Sequence, residues 1–312
     1  MIIQADQTNK DYKKEPCALL EAMAGTLNQS DDYRVLKRFE AIKEYNIIDA
    51  AEEETRSIGI YLDTETTGLD YKNDKIIELA LVPFEYSQDG RIFRILDGYS
   101  GFQDPGVKLN DKITLLTGIT DDMVKDQVFD NNRVEEVVQA ASLIIAHNAS
   151  FDRKFIEKQF PIFKQKAWGC SYTQVPWREE NISSAKLEYL AYKFGIFYDA
   201  HRAEMDCLVG VHILTQVLPL SKELVLKVLL SKSLEKSYII WAINSPFSSK
   251  DILKARGYRW NDGNNGKPKA WYIEVGEELK AEEVKFLQQN IYSSNVALTI
   301  DEIHPLNRFS AR

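Results

Sequence analysis

Cysteine is scarce in this chain of 312 residues: there are three, Cys17, Cys170 and Cys207, far apart and with no CxxC pair. That excludes a disulfide framework and a zinc knuckle and fits a reducing cytoplasm, with Cys170 and Cys207 expected as small buried residues. No stretch resembles the run of about 20 apolar residues that a membrane-spanning helix needs, so no membrane partner is expected. The opening MIIQADQTNKDYKKEP lacks the apolar core of a secretory signal. An excess of positive charge is missing too: the net charge is −8, whereas nucleic-acid binders are often basic.

The charge that is there is unevenly placed. Residues 1–56 carry 8 Lys/Arg against 12 Asp/Glu, residues 57–230 carry 19 against 25, and residues 231–312 carry 12 against 10. Within 236–273 the balance is 7 against 2, so the basic character sits in one C-terminal stretch. Acids in the middle segment that bind cations would count as bare charge although the ions offset them. The length allows two domains.

A pass along the chain gives an α/β plan. DDYRVLKRFEAIKEY (31–45) spaces Val35, Leu36, Phe39, Ile42 and Tyr45 at helical intervals, with Asp31 or Asp32 as its cap. IGIYLD (58–63) reads as a central strand, apolar on both faces. KIIELALVPFEY (75–86) and RIFRILDGYS (91–100) flank the turn SQDG and read as a hairpin. Helical pieces follow around 111–125 and 133–141, then a buried strand SLIIAHN (142–148). Helices are expected over 151–160, 184–194, 203–218 and 222–235, the last leading away as a linker. Strands followed by alternating helix and strand make a mixed sheet flanked by helices.

The first strand ends on Asp63 and Glu65. Side chains at i and i+2 of a strand point the same way. Two convergent carboxylates repel, and one pKa should rise unless a cation lies between them. Alone, D-T-E is equally well read as a solvated turn. Asp152 in HNASFD opens a helix, where a helix-capping acid is the bland reading. His201 and Asp206 in DAHRAEMDC fall at the start of another helix, and a lone His there is usually a surface or capping residue.

Together the ordered motifs DTETTGLD (63–70), LTGITDDMV (116–124), AHNASFD (146–152) and HRAEMD (201–206) resemble those of the DEDDh 3′–5′ exonucleases of the DnaQ-like superfamily. The likeness covers about half the chain, from about 57 to 218. It implies a ribonuclease H-like fold with a five-stranded mixed sheet. It also implies a catalytic set of Asp63, Glu65, Asp152, His201 and Asp206, and two divalent metal ions, Mg²⁺ or Mn²⁺, held by the four acids. In that scheme Asp63 bridges the metals, Glu65 and Asp206 complete the site of one, and Asp152 serves the other. His201 takes the proton of the attacking water, because an imidazole titrates near the working pH. The substrates implied are single-stranded DNA or RNA 3′ ends, with a polymerase or repair partner. The reading favours DNA slightly and leaves open an RNA-trimming enzyme, or a silent scaffold that binds nucleic acid or a partner. Substrate contacts are expected from Thr64, Glu65, Thr117, Asn148 and Phe151. Thr117 stands where the family's proofreading members carry a His, which puts a polar contact there in doubt, and Phe151 fits stacking on a base as well as packing on Phe155.

The resulting division is a helical or partly disordered extension (1–56), the exonuclease domain (57–220), a helical linker (221–236) and a small α+β module (237–312). The module joins cations to aromatics in the pattern K-D-x-L-K-x-R-G-Y-x-W from Lys250 to Trp260. Trp241 and Trp271 are expected in its core, because a small domain needs large residues there. Arg256, Arg259, Lys267 and Lys269 remain as accessory nucleic-acid contacts. An inert packing role or a protein partner fits the module equally well.

Overall fold

The computed structural model describes residues 18–45, 55–264 and 266–311. The chain enters through helix α1 (Ala18–Leu27) and a short strand β1 (Lys37–Arg38). Next come β2 (Ser57–Thr66), β3 (Ile76–Tyr86), β4 (Ile92–Ile95) and β5 (Tyr99–Phe102), then α2 (Asp111–Thr117), α3 (Asp121–Val124) and α4 (Asn131–Gln139). β6 (Leu143–Ala146), α5 (Ala149–Gln159), β7 (Ala167–Cys170), α6 (Leu187–Lys193), β8 (Ile196–Phe197), α7 (Ala203–Leu214) and α8 (Val225–Leu234) complete the first unit. The second contains β9 (Ser237–Ala242), α9 (Lys250–Ala255), β10 (Arg259–Trp260), β11 (Trp271–Gly276), α10 (Glu277–Phe286) and β12 (Thr299–Ile303).

The main sheet has six strands in the order β4-β3-β2-β6-β7, with β5 also on β3. β4 and β5 share one edge, so the sheet is five strands wide, as the fold class implies, and mixed: β2–β3 is antiparallel, β2–β6 and β6–β7 parallel. β2 lies in the middle because Gly59, Ile60, Tyr61 and Leu62 are all buried. Tyr61 packs on one face with α6, α7 and α8, whereas Ile60 and Leu62 pack on the other with α4 and α5. Burying one such side chain contributes about 1.5–3 kcal/mol. Gly210 lets α7 approach the sheet: a Cβ there would lie 2.2 Å from the Tyr61 ring. Cys170 and Cys207 are buried free thiols, as expected. No described helix is long and apolar enough to cross a membrane.

Three expectations need correction. The helix over 31–45 does not form. That segment runs extended, with β1 parallel to β8 and the Lys43 carbonyl and Tyr45 amide bonded to Ile95 and Phe93 beside β4. Its helical spacing loses to the unpaired backbone groups that two strand edges offer, and only Phe39 of its five apolar residues is fully buried. The helix of 222–235 does not lead away: Val225, Leu226 and Leu229 of α8 are buried in the first unit's core beside β7. In the C-terminal module β10 and β12 complete an antiparallel sheet β10-β11-β9-β12. Of its tryptophans, Trp241 is buried and donates Nε1–H to Asp301 at 2.9 Å, whereas Trp271 is half-buried.

Past β12 the chain returns to the first unit. The fully buried Arg153 guanidinium donates to the carbonyls of Leu306 and Arg308 at 2.6 Å each. Arg308 in turn donates to the carbonyls of Lys232, Ser233 and Glu235 at the end of α8.

Candidate active site

The tripeptide Asp63-Thr64-Glu65 still lies within β2, so it distributes its side chains alternately between the two faces. Asp63 and Glu65 share the face of Tyr61 and α7, which carries Asp206. Thr64 shares the face of Leu62 and α5, which carries Asp152. Its hydroxyl donates to Asp152 Oδ1 at 2.8 Å. The five residues expected to form one site are thus gathered at the C-terminal end of β2 by β2, α5, α7 and the loop before α7.

Their electrostatics are those of crowded acids. Asp63 is pushed well above the usual carboxylate range by burial, then by Asp152, Asp206 and Glu65. Glu65 is raised to about 8 by burial and then by Asp206. Asp152 is raised to about 7 by burial, which the Thr64 bond only partly offsets. Asp206 is raised by burial as well, against the bonds it accepts from Tyr198 and His201. Burial first, and for Asp63 and Glu65 the neighbouring acids as well, disfavours the charged forms, a cost that a bound cation offsets. The donor set fits one: Glu65, His201 and Asp206 each offer an atom, all within 4.8 Å of one another, and carboxylate oxygens suit hard divalent ions.

His201 is held by backbone conformation. Its φ is +67°, a left-handed conformation uncommon in residues other than glycine and enriched in His, Asn and Asp. Its amide donates to Asp206 Oδ2 at 2.9 Å, while the Tyr198 hydroxyl donates to Asp206 Oδ1 at 2.7 Å. Both carboxylate oxygens of Asp206 are therefore fixed. The loop is anchored from the sheet by Glu78, which faces Glu65 across β2–β3 and is 2% exposed. Glu78 accepts from the Arg202 guanidinium at 3.0 Å and from the amide of Ala203, the first residue of α7, at 3.1 Å. Sequence reasoning missed Glu78 and Tyr198. A signal existed for Glu78, a lone acid inside the apolar run IIELALV. Tyr198 carries no local signal.

The expected substrate contacts divide. Asn148 precedes α5 and, with Phe151, lines a depression beside Asp152. Phe151 also packs on Phe155 at 4.9 Å between ring centroids, so its two readings coexist. Thr117 does not reach outward: it is 4% exposed. Its hydroxyl donates to the Ile113 carbonyl and accepts from the Ile119 amide, closing α2 ahead of the left-handed Gly118.

In the C-terminal module Arg256 is also corrected. It pairs with Glu282 and the buried Glu283 and lies 4.1 Å over the Phe286 ring, a structural role. Arg259, on the edge strand β10, is exposed and lies over Tyr272; Lys267 and Lys269 are exposed.

The family model RNase_T, described as Exonuclease, matches residues 60–214. DNA polymerase III PolC-type of Clostridium perfringens is 33% identical over 165 residues, covering 51% of this chain and 11% of that protein. The protein of the same name from a Staphylococcus epidermidis strain is 34% identical over 176 residues, 53% of this chain and 12% of its own length. The chain therefore spans about a tenth of the length of these relatives. Among solved structures, "Exonuclease X in complex with 5′ overhanging duplex DNA" is 24% identical over 49% of this chain and 86% of its own, with a TM-score of 0.38. E. coli Exonuclease I in complex with a dA16 oligonucleotide is 13% identical over 75% and 71%, with a TM-score of 0.48. Residues 60–214, which span the four acids and His201, thus form a domain of the Exonuclease family.

Proposed function

We propose that this protein hydrolyses single-stranded nucleic acid from the 3′ end and releases nucleoside 5′-monophosphates, with DNA favoured over RNA. One observation carries the reading: Asp63, Glu65, Asp152 and Asp206 converge from three elements, with their pKa values raised, around the His201 loop. Buried carboxylates held at a cost in their charged form have a use where cations are to be bound. The preference for DNA rests on the relatives, whose name is that of a DNA polymerase.

Asp63, Glu65, Asp152 and Asp206 would hold two divalent ions, Mg²⁺ or Mn²⁺. Bound there, the ions would neutralise charge on the phosphate and ease deprotonation of water at neutral pH. His201 accepts the proton of the attacking water on an imidazole nitrogen, and its left-handed backbone keeps the ring beside Glu65 and Asp206. Tyr198 and the His201 amide keep Asp206 oriented. The backbone of Thr64 and Glu65 meets the terminal 3′-hydroxyl, and Phe151 offers a ring to a base.

The test is digestion of 5′-labelled single-stranded DNA and RNA of matched sequence with Mg²⁺, Mn²⁺ or chelator, alongside Asp63→Ala. A metal-dependent ladder shortening from the 3′ end, absent in the variant, is expected, with DNA the faster substrate. Faster RNA digestion would assign the enzyme to RNA trimming. No digestion of either by folded protein would refute the hydrolytic reading.

A further inference from the structure

The loop that carries His201 is held from two sides. On the sheet side, Glu78 anchors Arg202 and Ala203. On the other lies the segment 34–45, which is outside the residues 60–214 matched to the family. β8 ends immediately before Tyr198, is two residues long and, among the described residues, has β1 as its one strand partner. The Lys37 amide donates to the Gly195 carbonyl at 3.0 Å, and the Phe39 amide donates to the Phe197 carbonyl at 2.8 Å. Tyr198 follows directly, and its hydroxyl fixes Asp206. Resting on the hydrolytic reading above, we propose that the segment 34–45 braces the His201 loop and that Phe39 is a positioning residue for hydrolysis.

The contacts of the brace are unequal. Arg38 pairs with Asp199 at 2.9 Å, but these side chains are 58% and 87% exposed, so the pair contributes little. A pairing of two short strands is marginal by itself. Phe39 supplies what they lack. It is buried and packs 5.3 Å from the ring of His212, in the last turn of α7. Tyr45 stacks on the same ring at 6.3 Å, and its amide ties the segment to Phe93 of the main sheet. The brace thus touches the chain just before α7 and the far end of α7, with His201 and Asp206 between the two contacts. Arg34 donates to the carbonyls of Tyr192 and Lys193, which fixes the chain entering β8 as well. The left-handed backbone of His201 persists only where its surroundings over-determine it. Glu78 restrains the residues after His201, and the brace restrains those before it.

The experiment compares the full chain with Phe39→Ala, Phe39→Leu and Leu229→Ala. Leu229 belongs to the same core cluster but packs from α8 beside β7, so its loss reports general destabilisation. Hydrogen exchange by mass spectrometry follows the stretch 198–206, and kcat and KM are measured on a dinucleotide well below each melting temperature. In Phe39→Ala the His201 and Ala203 amides should exchange about tenfold faster. Its kcat should fall about tenfold to a hundredfold with KM unchanged. Phe39→Leu should recover most of both quantities, and Leu229→Ala should melt lower with neither change. Phe39→Ala combined with Tyr198→Phe should cost less in kcat than the product of the single losses, since both act through Asp206. Unchanged exchange in Phe39→Ala overturns the brace, as do an equal change in Leu229→Ala or losses in kcat that multiply. Should Phe39→Ala not fold, Arg34→Ala takes its place, with both effects expected at about twofold and the same outcome, unchanged exchange, overturning the brace. Digestion by wild type with unchanged exchange in the variant would overturn the brace alone. Faster exchange in the variant of a protein that digests nothing would overturn the hydrolytic reading and leave the brace standing.

Discussion

The two units handle buried charge in opposite ways. In the C-terminal module, buried Glu283 is matched by Arg256 and by the Tyr258 hydroxyl at 2.8 Å. Around β2, by contrast, Asp63, Glu65, Asp152 and Asp206 face one another, and among the described residues the nearby arginine, Arg202, pairs with Glu78. A paired buried charge marks architecture; a set of like charges held together by the fold marks a place for something that is not protein. The Arg256 correction teaches the same lesson: a basic, aromatic sequence pattern cannot show whether its cations are already committed.

Substitution sharpens the contrast. Asp63→Ala should abolish hydrolysis, a loss of at least about 10³-fold in kcat for a group on which the charge chemistry converges. In chelator the same variant should melt no lower than wild type, because it removes repulsion. Arg256→Ala should do the reverse. It strands Glu283 and lowers stability by about 1–2 kcal/mol after allowance for solvent screening of a partly exposed guanidinium, while the kcat on a dinucleotide holds. A melt and a rate for each protein check both statements; an Arg256→Ala enzyme that is as stable as wild type would erase the distinction.

Glu78→Gln probes the boundary between the two behaviours. It keeps the shape but removes the charge that holds Arg202 and the first amide of α7, so the His201 loop loses its anchor. A displacement of about 1 Å at a reacting group costs about 10²-fold, and that is the fall in kcat expected, with circular dichroism unchanged. A purely structural role would lower the melting temperature and leave kcat alone.

A further contrast is in pH. Asp152 and Glu65 are raised from 3.8 and 4.5 to about 7 and about 8. A raised carboxylate favours the fold in its protonated form, so this contribution is complete below about pH 4 and is lost as pH climbs through 7 to 8. Divalent metal needs the deprotonated ligands, so its binding tightens over the same window. The melting temperature should therefore fall with pH in chelator, and the gain on adding Mg²⁺ should grow, reaching about 2.7 kcal/mol at a hundredfold excess over Kd. A gain that is flat across this range would mean that these carboxylates are not ligands.

Much of this site was legible in the sequence because it is built from local rules. A strand that ends on D-T-E fixes which side chains share a face, and Asp152, His201 and Asp206 sit at or near helix starts that their own motifs announce. What could not be read depends on partners distant in the chain. Glu78 gains its meaning from the pairing of β3 with β2 and from Arg202, 124 residues on. Thr117 was expected against substrate, but the end of its own helix takes up its hydroxyl. The 31–45 stretch kept a helical pattern and lost to two open strand edges, which periodicity within the segment cannot reveal.

The Arg153 clamp has a kinetic consequence. The helix that carries Asp152 owes two of its buried bonds to carbonyls 153 and 155 residues further along the chain. Closing contacts over such separations is slow compared with forming the helix itself. During synthesis, therefore, β2 and α5 can be in place while Arg153 still waits for the chain around residues 306–308. The helix that carries Asp152 therefore gains these two bonds only once the chain beyond β12 has folded back onto it.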